Sequence, residues 1–124
     1  MPLTTNPDPR PRVTDADSGE PVTVAGASCH ACELATLSSV SRCPSCGEGL
    51  ETARFGPGGT VWSSTVVRVP IPGRTPPYAV AYVDLDDGPR LLCHLDSDER
   101  PAVGSRVRLV GTTVAGDVLV RATP

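Results

Sequence analysis

From Thr60 onward the chain alternates. In TVWSSTVVRV (60–69), Val61, Ser63, Thr65, Val67 and Val69 fall on one face and Trp62, Ser64, Val66 and Arg68 on the other. That is the period of two expected of a long strand. YAVAYVDL (78–85) reads as the next strand, RLLCHLD (90–96) as the one that returns, and SRVRLVGTTV (105–114) and VLVRA (118–122) as the last two. The breaks between them carry turn chemistry. PIPGRTPP (70–77) is a stiff loop with four prolines in eight residues, DDGP (86–89) offers a glycine for positive φ, SDERPAVGS (97–105) is a longer connection, and Ala115-Gly116-Asp117 closes the final pair. Upstream, ARFGPGG (53–59) reads as a glycine-proline hinge. PVTVAG (21–26) is a short strand, and LATLSSVS (34–41), β-branched and small with no helical spacing, reads as its returning partner. No segment has a convincing helical period. The pattern therefore predicts an all-β protein. Residues 53–124 form a five-stranded OB-type barrel, with a small sandwich as the competing arrangement. Residues 21–52 form a separate small unit, and the polar, proline-rich residues 1–20 a flexible tail.

The small unit has too little apolar sequence to hold itself together, and its cysteines supply a reason it folds. Cys29, Cys32, Cys43 and Cys46 stand in the pattern C-x2-C-x10-C-x2-C. Each C-x2-C turn brings two thiolates to one side of a tight knuckle, and two facing knuckles make a tetrahedral four-sulfur site. Pro44 and Gly47, in CPSCG, stiffen the second knuckle and allow the turn behind it. Four thiolates suit zinc and leave no open position for water, so the expectation is one structural Zn(2+) in a rubredoxin-like zinc ribbon. An iron site of rubredoxin type and a pair of redox dithiols are the competing readings. The second would place its cysteines at the start of a helix in a βαβ unit, which is not found here. His30, inside the first knuckle, is a bystander to a complete ligand set.

Composition narrows the function. The net charge is −3, and from Glu51 onward eight acidic residues balance eight basic ones, so bulk electrostatics draw the protein toward neither nucleic acid nor an anionic membrane. Zinc ribbons and OB barrels elsewhere bind nucleic acid, but such a surface needs a basic groove with stacking aromatics. Aromatics are scarce here: Phe55, Trp62, Tyr78 and Tyr82. All basic side chains are arginine, which removes lysine Schiff-base chemistry and the P-loop lysine. No apolar run approaches the ~20 residues of a membrane span, and the N-terminus MPLTTNPDPRPR lacks the apolar core of a signal peptide. The expected location is the cytoplasm, where paired cysteines act as metal ligands.

Three smaller constellations deserve weighing. Cys93 and His94 are strand neighbours and point to opposite faces, so they form no catalytic pair. The simple reading is a buried cysteine and an exposed histidine. Asp96 lies on the face of His94 and keeps an acid/base role open for a stand-alone enzyme. Asp84, Asp86 and Asp87 surround a hairpin turn, where carboxylates favour chain reversal and stay solvated.

The order CHAC, RCPSCG, GGTVWSSTVV, PPYAVAYVDLDDGPRLLCHL and VGSRVRL resembles the zinc-ribbon plus OB-fold family long known as DUF35, over roughly residues 27–112. The resemblance implies a small non-catalytic companion of a thiolase-like or ketosynthase-like acyltransferase or aldolase. Such a companion helps bind or channel an acyl-CoA-type substrate. It also implies Cys29, Cys32, Cys43 and Cys46 as the zinc ligands. In that role Trp62, Tyr78 and Tyr82 are the expected partner anchors, because aromatics concentrate at interface hot spots. Arg68 and Arg74 are the expected contacts to CoA phosphates. Family members carry a helical stretch before the ribbon, where this chain has the proline-rich residues 1–20.

Overall fold

A computed structural model describes residues 10–14, 21–37 and 41–123. Its elements are all strands: β1 (Val13–Thr14), β2 (Thr23–Ser28), β3 (Ala35–Thr36), β4 (Glu51–Phe55), β5 (Gly58–Val67), β6 (Tyr78–Leu85), β7 (Arg90–Leu95), β8 (Arg106–Thr112) and β9 (Val118–Ala122). No helix occurs among the described residues, and so none that is long and apolar enough to cross a membrane.

Strands β5 to β9 close into a barrel in the order β5-β6-β7-β9-β8, the arrangement of an OB fold. All neighbours are antiparallel except β7 and β9, which run parallel through His94↔Leu119 and Leu95↔Val120. Closure removes free edges. It requires β5 to pair with β6 along most of its length and with β8 through Gly58–Thr60. Gly59 makes the corner: a Cβ there would lie 2.5 Å from a Val83 methyl and 2.9 Å from the Asp84 carbonyl oxygen. Alternation along each strand fills the interior. Val61, Ala79, Ala81, Val83, Leu85, Leu91, Cys93, Leu95, Val107, Leu109, Val118 and Val120 form one buried cluster.

The five predicted strands of the barrel are all present, with β6 and β9 at the predicted bounds. The face assignment in β5 needs correction. A bulge between Val61 and Ser63 inserts one residue at Trp62 and reverses the alternation beyond it. Val61 is buried, Trp62 exposed, and Ser64 and Val66 take over the inner side from Thr65, which is exposed.

The four N-terminal strands form a second sheet centred on β2. β4 runs along one edge of β2, pairing Val24↔Phe55 through Ser28↔Glu51. The other edge is shared by β1, at Val24 and Thr23, and β3, at Ala27 and Ser28. Three expectations change here. The segment 53–59 is no continuous hinge: Ala53–Phe55 complete β4 and only Gly56 and Pro57 lie between the sheets. The returning strand expected over 34–41 is two residues long, and residues 38–40 lie outside the described ones. Most of the expected tail over 1–20 also falls outside, but Val13 and Thr14 within it pair with β2, the two threonine hydroxyls of Thr14 and Thr23 lying 2.6 Å apart. Local polarity hid all three, because β1, β3 and β4 owe their strand conformation to β2 and not to their own patterning.

The sheet is fastened to the barrel at one end. Val24 and Phe55 belong to the barrel's apolar cluster. The Phe55 ring lies so close to Gly88, in the β6–β7 turn, that a Cβ at position 88 would sit 2.5 Å from it. Beside it, the Gly56 amide donates to the Asp87 carboxylate at 2.9 Å.

Candidate functional site

β2 leads away from that junction and delivers Cys29 about 17 Å from Val24, at the rise of an extended chain. The two knuckles face each other there. In the first, the Cys29 amide donates to the Leu34 carbonyl at 2.8 Å, and Glu33 takes φ 63° to turn the chain back. In the second, the Cys43 amide donates to Glu48 at 2.7 Å and the Gly47 amide to Cys43 at 2.9 Å, with Gly47 at φ 80°. Arg42 braces this turn by donating to the Gly47 carbonyl at 3.0 Å.

The structure brings all four predicted ligands together. Their sulfurs lie within 4.8 Å of one another, with Cys29–Cys46 and Cys32–Cys43 each at 3.5 Å. Four sulfurs around a tetrahedral zinc would be about 3.8 Å apart, from a Zn–S distance near 2.3 Å. The donor set and its spacing therefore fit a single metal ion with four thiolates, a cluster consistent with a zinc ribbon. Cys29 and Cys43 are buried; Cys32 and Cys46 face solvent. The thiols affect one another strongly. Burial acts to raise Cys43, but the backbone N–H groups of Cys46 and Ser45, with the Cys32 and Cys46 thiols, outweigh it and bring the group down to about 7. At Cys46 the Glu48 backbone N–H lowers the value, and the Cys29, Cys32 and Cys43 thiols together with burial overcome it and push it up to about 12. Four thiols this close cannot all ionise without a cation among them. His30 points elsewhere, its Nε2 being 4.0 Å from a Glu51 carboxylate oxygen.

The second feature is the outer face of the β6–β7 hairpin. Cross-strand pairs Asp84↔Arg90 and Tyr82↔Leu92 and the diagonal Tyr78–His94 line it in sequence. In its middle Tyr82 and Leu92 are 45% and 46% exposed, and the β5 bulge sets Trp62 beside them at 52%. Trp62 and Tyr82 meet edge to face, centroids 6.3 Å apart at 76°. The Arg90 guanidinium caps the indole at 3.8 Å while gripping Asp84 with Nε at 2.6 Å and Nη2 at 3.2 Å. That grip holds the Asp84 carboxyl below its ordinary value. Leu92 escaped the sequence reading, although the alternation of RLLCHL already puts it opposite Leu91 and Cys93.

Tyr78, Arg74 and His94 fall where the sequence reading did not place them. Tyr78 is 4% exposed, covered because its ring stacks on His94 at 5.6 Å under the 70–77 loop; it is no surface anchor. Arg74 is occupied within the protein, over the Tyr78 ring at 4.4 Å and donating to the Leu95 carbonyl at 3.1 Å. Arg68 is exposed at the start of that loop. His94, expected to be exposed, is 7% exposed. Its carboxylate neighbour is Asp117, Nε2 to Oδ2 3.7 Å, and not Asp96, which Arg121 holds at 2.7 Å. The acid/base pair His94–Asp96 is therefore not assembled. Cys93 is buried as expected, and burial pushes its thiol up to about 12.

Residues 53–112 match the family model of the ChsH2 C-terminal OB-fold domain. No curated protein sequence matches the chain. Among solved structures, a chain of the Ltp2–ChsH2(DUF35) aldolase superposes with a TM-score of 0.63 at 28% identity, covering 81% of this chain and 84% of that one. A DUF35-family protein of unknown function from Sulfolobus solfataricus superposes with a TM-score of 0.59 at 18% identity, covering 82% of this chain and 76% of that one, and so shares the fold. Its barrel thus matches that OB-fold model, and its ribbon and barrel together are similar to a DUF35 chain at 28% identity and share the fold of a second.

Proposed function

We propose that this protein is a non-catalytic, zinc-binding accessory subunit that docks on a thiolase-like or ketosynthase-like enzyme and helps bind or channel an acyl-CoA-type substrate. The observation that carries the reading is the likeness, over four-fifths of the chain, to a DUF35 chain of an aldolase named for two components, Ltp2 and ChsH2. The chemistry of the chain agrees with it. A four-thiolate site saturates a metal and leaves no position for substrate, so the zinc is structural. The Trp62–Tyr82–Leu92 face supplies what docking needs: an exposed aliphatic side chain beside rigid aromatics and a bordering arginine, and tryptophan, tyrosine and arginine are the residue types that dominate interface hot spots. Arg68, exposed at the edge of the 70–77 loop, is the better placed of the two arginines for a CoA phosphate.

Affinity purification from the native host, with retained proteins identified by mass spectrometry, tests the reading. The expected result is a thiolase- or ketosynthase-like protein at near-equal amount, lost when Trp62 and Tyr82 are both replaced by serine. Recovery of nucleic-acid-linked proteins alone, or of nothing above background, overturns it. The same exposed aromatics favour a second reading, single-strand nucleic-acid stacking. Against it, the barrel arginines Arg90, Arg106 and Arg121 are each held by an aspartate, which cancels the charge that phosphates would meet. A salt-dependent shift with single-stranded DNA would revive that reading.

A further inference from the structure

Apart from the cysteine centre and the exposed face, one set of charged groups gathers side chains from distant parts of the chain. At the covered end of the β6–β7 outer face, His94 of β7 lies against Tyr78 of β6, Arg74 of the 70–77 loop and Asp117 of the β8–β9 turn. Arg10 approaches from the N-terminal side, its Nη1 3.5 Å from Asp117 Oδ1 and donating to the Ala115 carbonyl. Arg74 Nη1 is 3.3 Å from His94 Nδ1. A guanidinium can only donate and does not lose its proton, so Nδ1 must be the acceptor. That fixes the imidazole as the neutral Nε2–H tautomer, with its N–H side toward Asp117 Oδ2. The loop itself is a turn closed by the Arg74 amide on the Ile71 carbonyl at 3.2 Å, and the Arg74 side chain ties that turn to β7 through His94 and the Leu95 carbonyl.

We propose that Arg74, His94 and Asp117 form a pH-operated latch that holds the 70–77 loop against the barrel while His94 is neutral and releases it when His94 takes a proton. Protonation removes the acceptor that Arg74 uses and sets a second cation beside its guanidinium. Asp117 attracts the imidazolium but is shared with Arg10, and the Tyr78 ring against the other side offers no charge. Asp96, two residues along β7, is committed to Arg121. The sum of these follows the same direction: burial first, opposed by Asp117 and reinforced by Arg74, keeps the imidazole below its ordinary value. The folded protein therefore binds fewer protons here than the unfolded chain. The latch contributes fully above the unfolded histidine value of about 6.5 and is lost as pH falls through the lower folded value. Release frees a segment whose Val69 and Ile71 are already exposed, next to the hairpin face proposed for docking.

Hydrogen exchange on the full chain tests the latch, comparing wild type with His94→Gln between about pH 7.5 and about pH 5, with peptides over 68–77 set against barrel peptides as internal reference. Glutamine keeps an oxygen to accept from Arg74 and cannot titrate. After correction for the intrinsic rate, protection of 68–77 should fall roughly tenfold in wild type over that range and stay level in the variant. Parallel loss in both, or unchanged protection in wild type, overturns the proposal. Should His94→Gln fail to fold, nitrogen NMR of His94 decides. Wild type should show the Nε2–H tautomer, and Arg74→Met should move the titration of His94 upward. The Nδ1–H tautomer, or a titration unmoved by Arg74→Met, overturns it equally.

Discussion

The ribbon and the barrel are both made of short antiparallel strands, but different forces hold them. In the barrel each strand has two neighbours, and all five strands contribute inward side chains to one apolar cluster. In the ribbon sheet, β1 and β3 are two residues long, and the buried apolar side chains are Val24, Ala27 and Phe55 with the two cysteines Cys29 and Cys43. Two of those, Val24 and Phe55, already belong to the barrel's core. Beyond them, the described ribbon residues form no apolar cluster of their own, and Ala35, Leu37 and Ala53 are only partly buried against the barrel's core. On the zinc-binding reading proposed above, the order of this part of the ribbon comes from the metal, whose binding free energy is there folding free energy. A small β unit can thus be stable at one end by borrowing a neighbour's core and at the other by coordination.

Removing the metal should give the largest effect, since structural zinc contributes on the order of 10 kcal/mol to such sites. Chelation, or Cys43→Ser, should collapse the amide NMR dispersion of residues 27–50 and leave that of β6, β7 and β9 in place. Simultaneous loss of the barrel signals would mean that the two regions are one cooperative unit and would break the comparison. Next comes the shared residue. Phe55→Ala should cost about 3–5 kcal/mol in urea unfolding, because the ring fills the space between Gly26 and Gly88. Its distinguishing mark is that ribbon amides gain mobility while one metal ion per chain is retained. A purely barrel substitution, Leu91→Ala, should cost about 3 kcal/mol and leave both ribbon mobility and metal content unchanged. If Leu91→Ala loosened the ribbon as much as Phe55→Ala, the fastening at Phe55 would not be the route between them.

What the sequence disclosed divides along the same line. The barrel strands were legible because their residues obey local rules: period two within each strand, proline, glycine and aspartate between. The cysteine centre was legible because spacing alone defines a knuckle. What escaped depends on partners distant in sequence. β4 looks like a polar hinge until β2 lies beside it. The bulge at Trp62 is a response to closing the barrel, and it turned the face assignment around. Tyr78 and His94 looked like surface residues because nothing in YAVAYVDL or RLLCHL announces the loop that covers them. Asp117, the carboxylate nearest His94, is too far along the chain for any motif to pair them.

The finest contrast lies between the two knuckles, which do the same work with different residues. Both reverse the chain through a left-handed backbone, Glu33 at φ 63° and Gly47 at φ 80°. An L side chain in that region costs about 1 kcal/mol, which glycine escapes. Nothing lies within 4 Å of where a Cβ at position 47 would be, so Gly47→Ala isolates the backbone cost from any clash. A loss of about 1 kcal/mol corresponds to roughly fivefold weaker metal binding. A competition titration against a chromogenic chelator should read that loss for Gly47→Ala. Glu33→Gly should tighten binding by less, because the relief of strain is partly offset by the about 0.5–1 kcal/mol of extra freedom that glycine gives the unfolded chain. Unchanged affinity in Gly47→Ala would mean that the second knuckle need not be left-handed to present its thiolates, and that Cys43 and Cys46 are positioned by Arg42 and the Glu48 carbonyl instead.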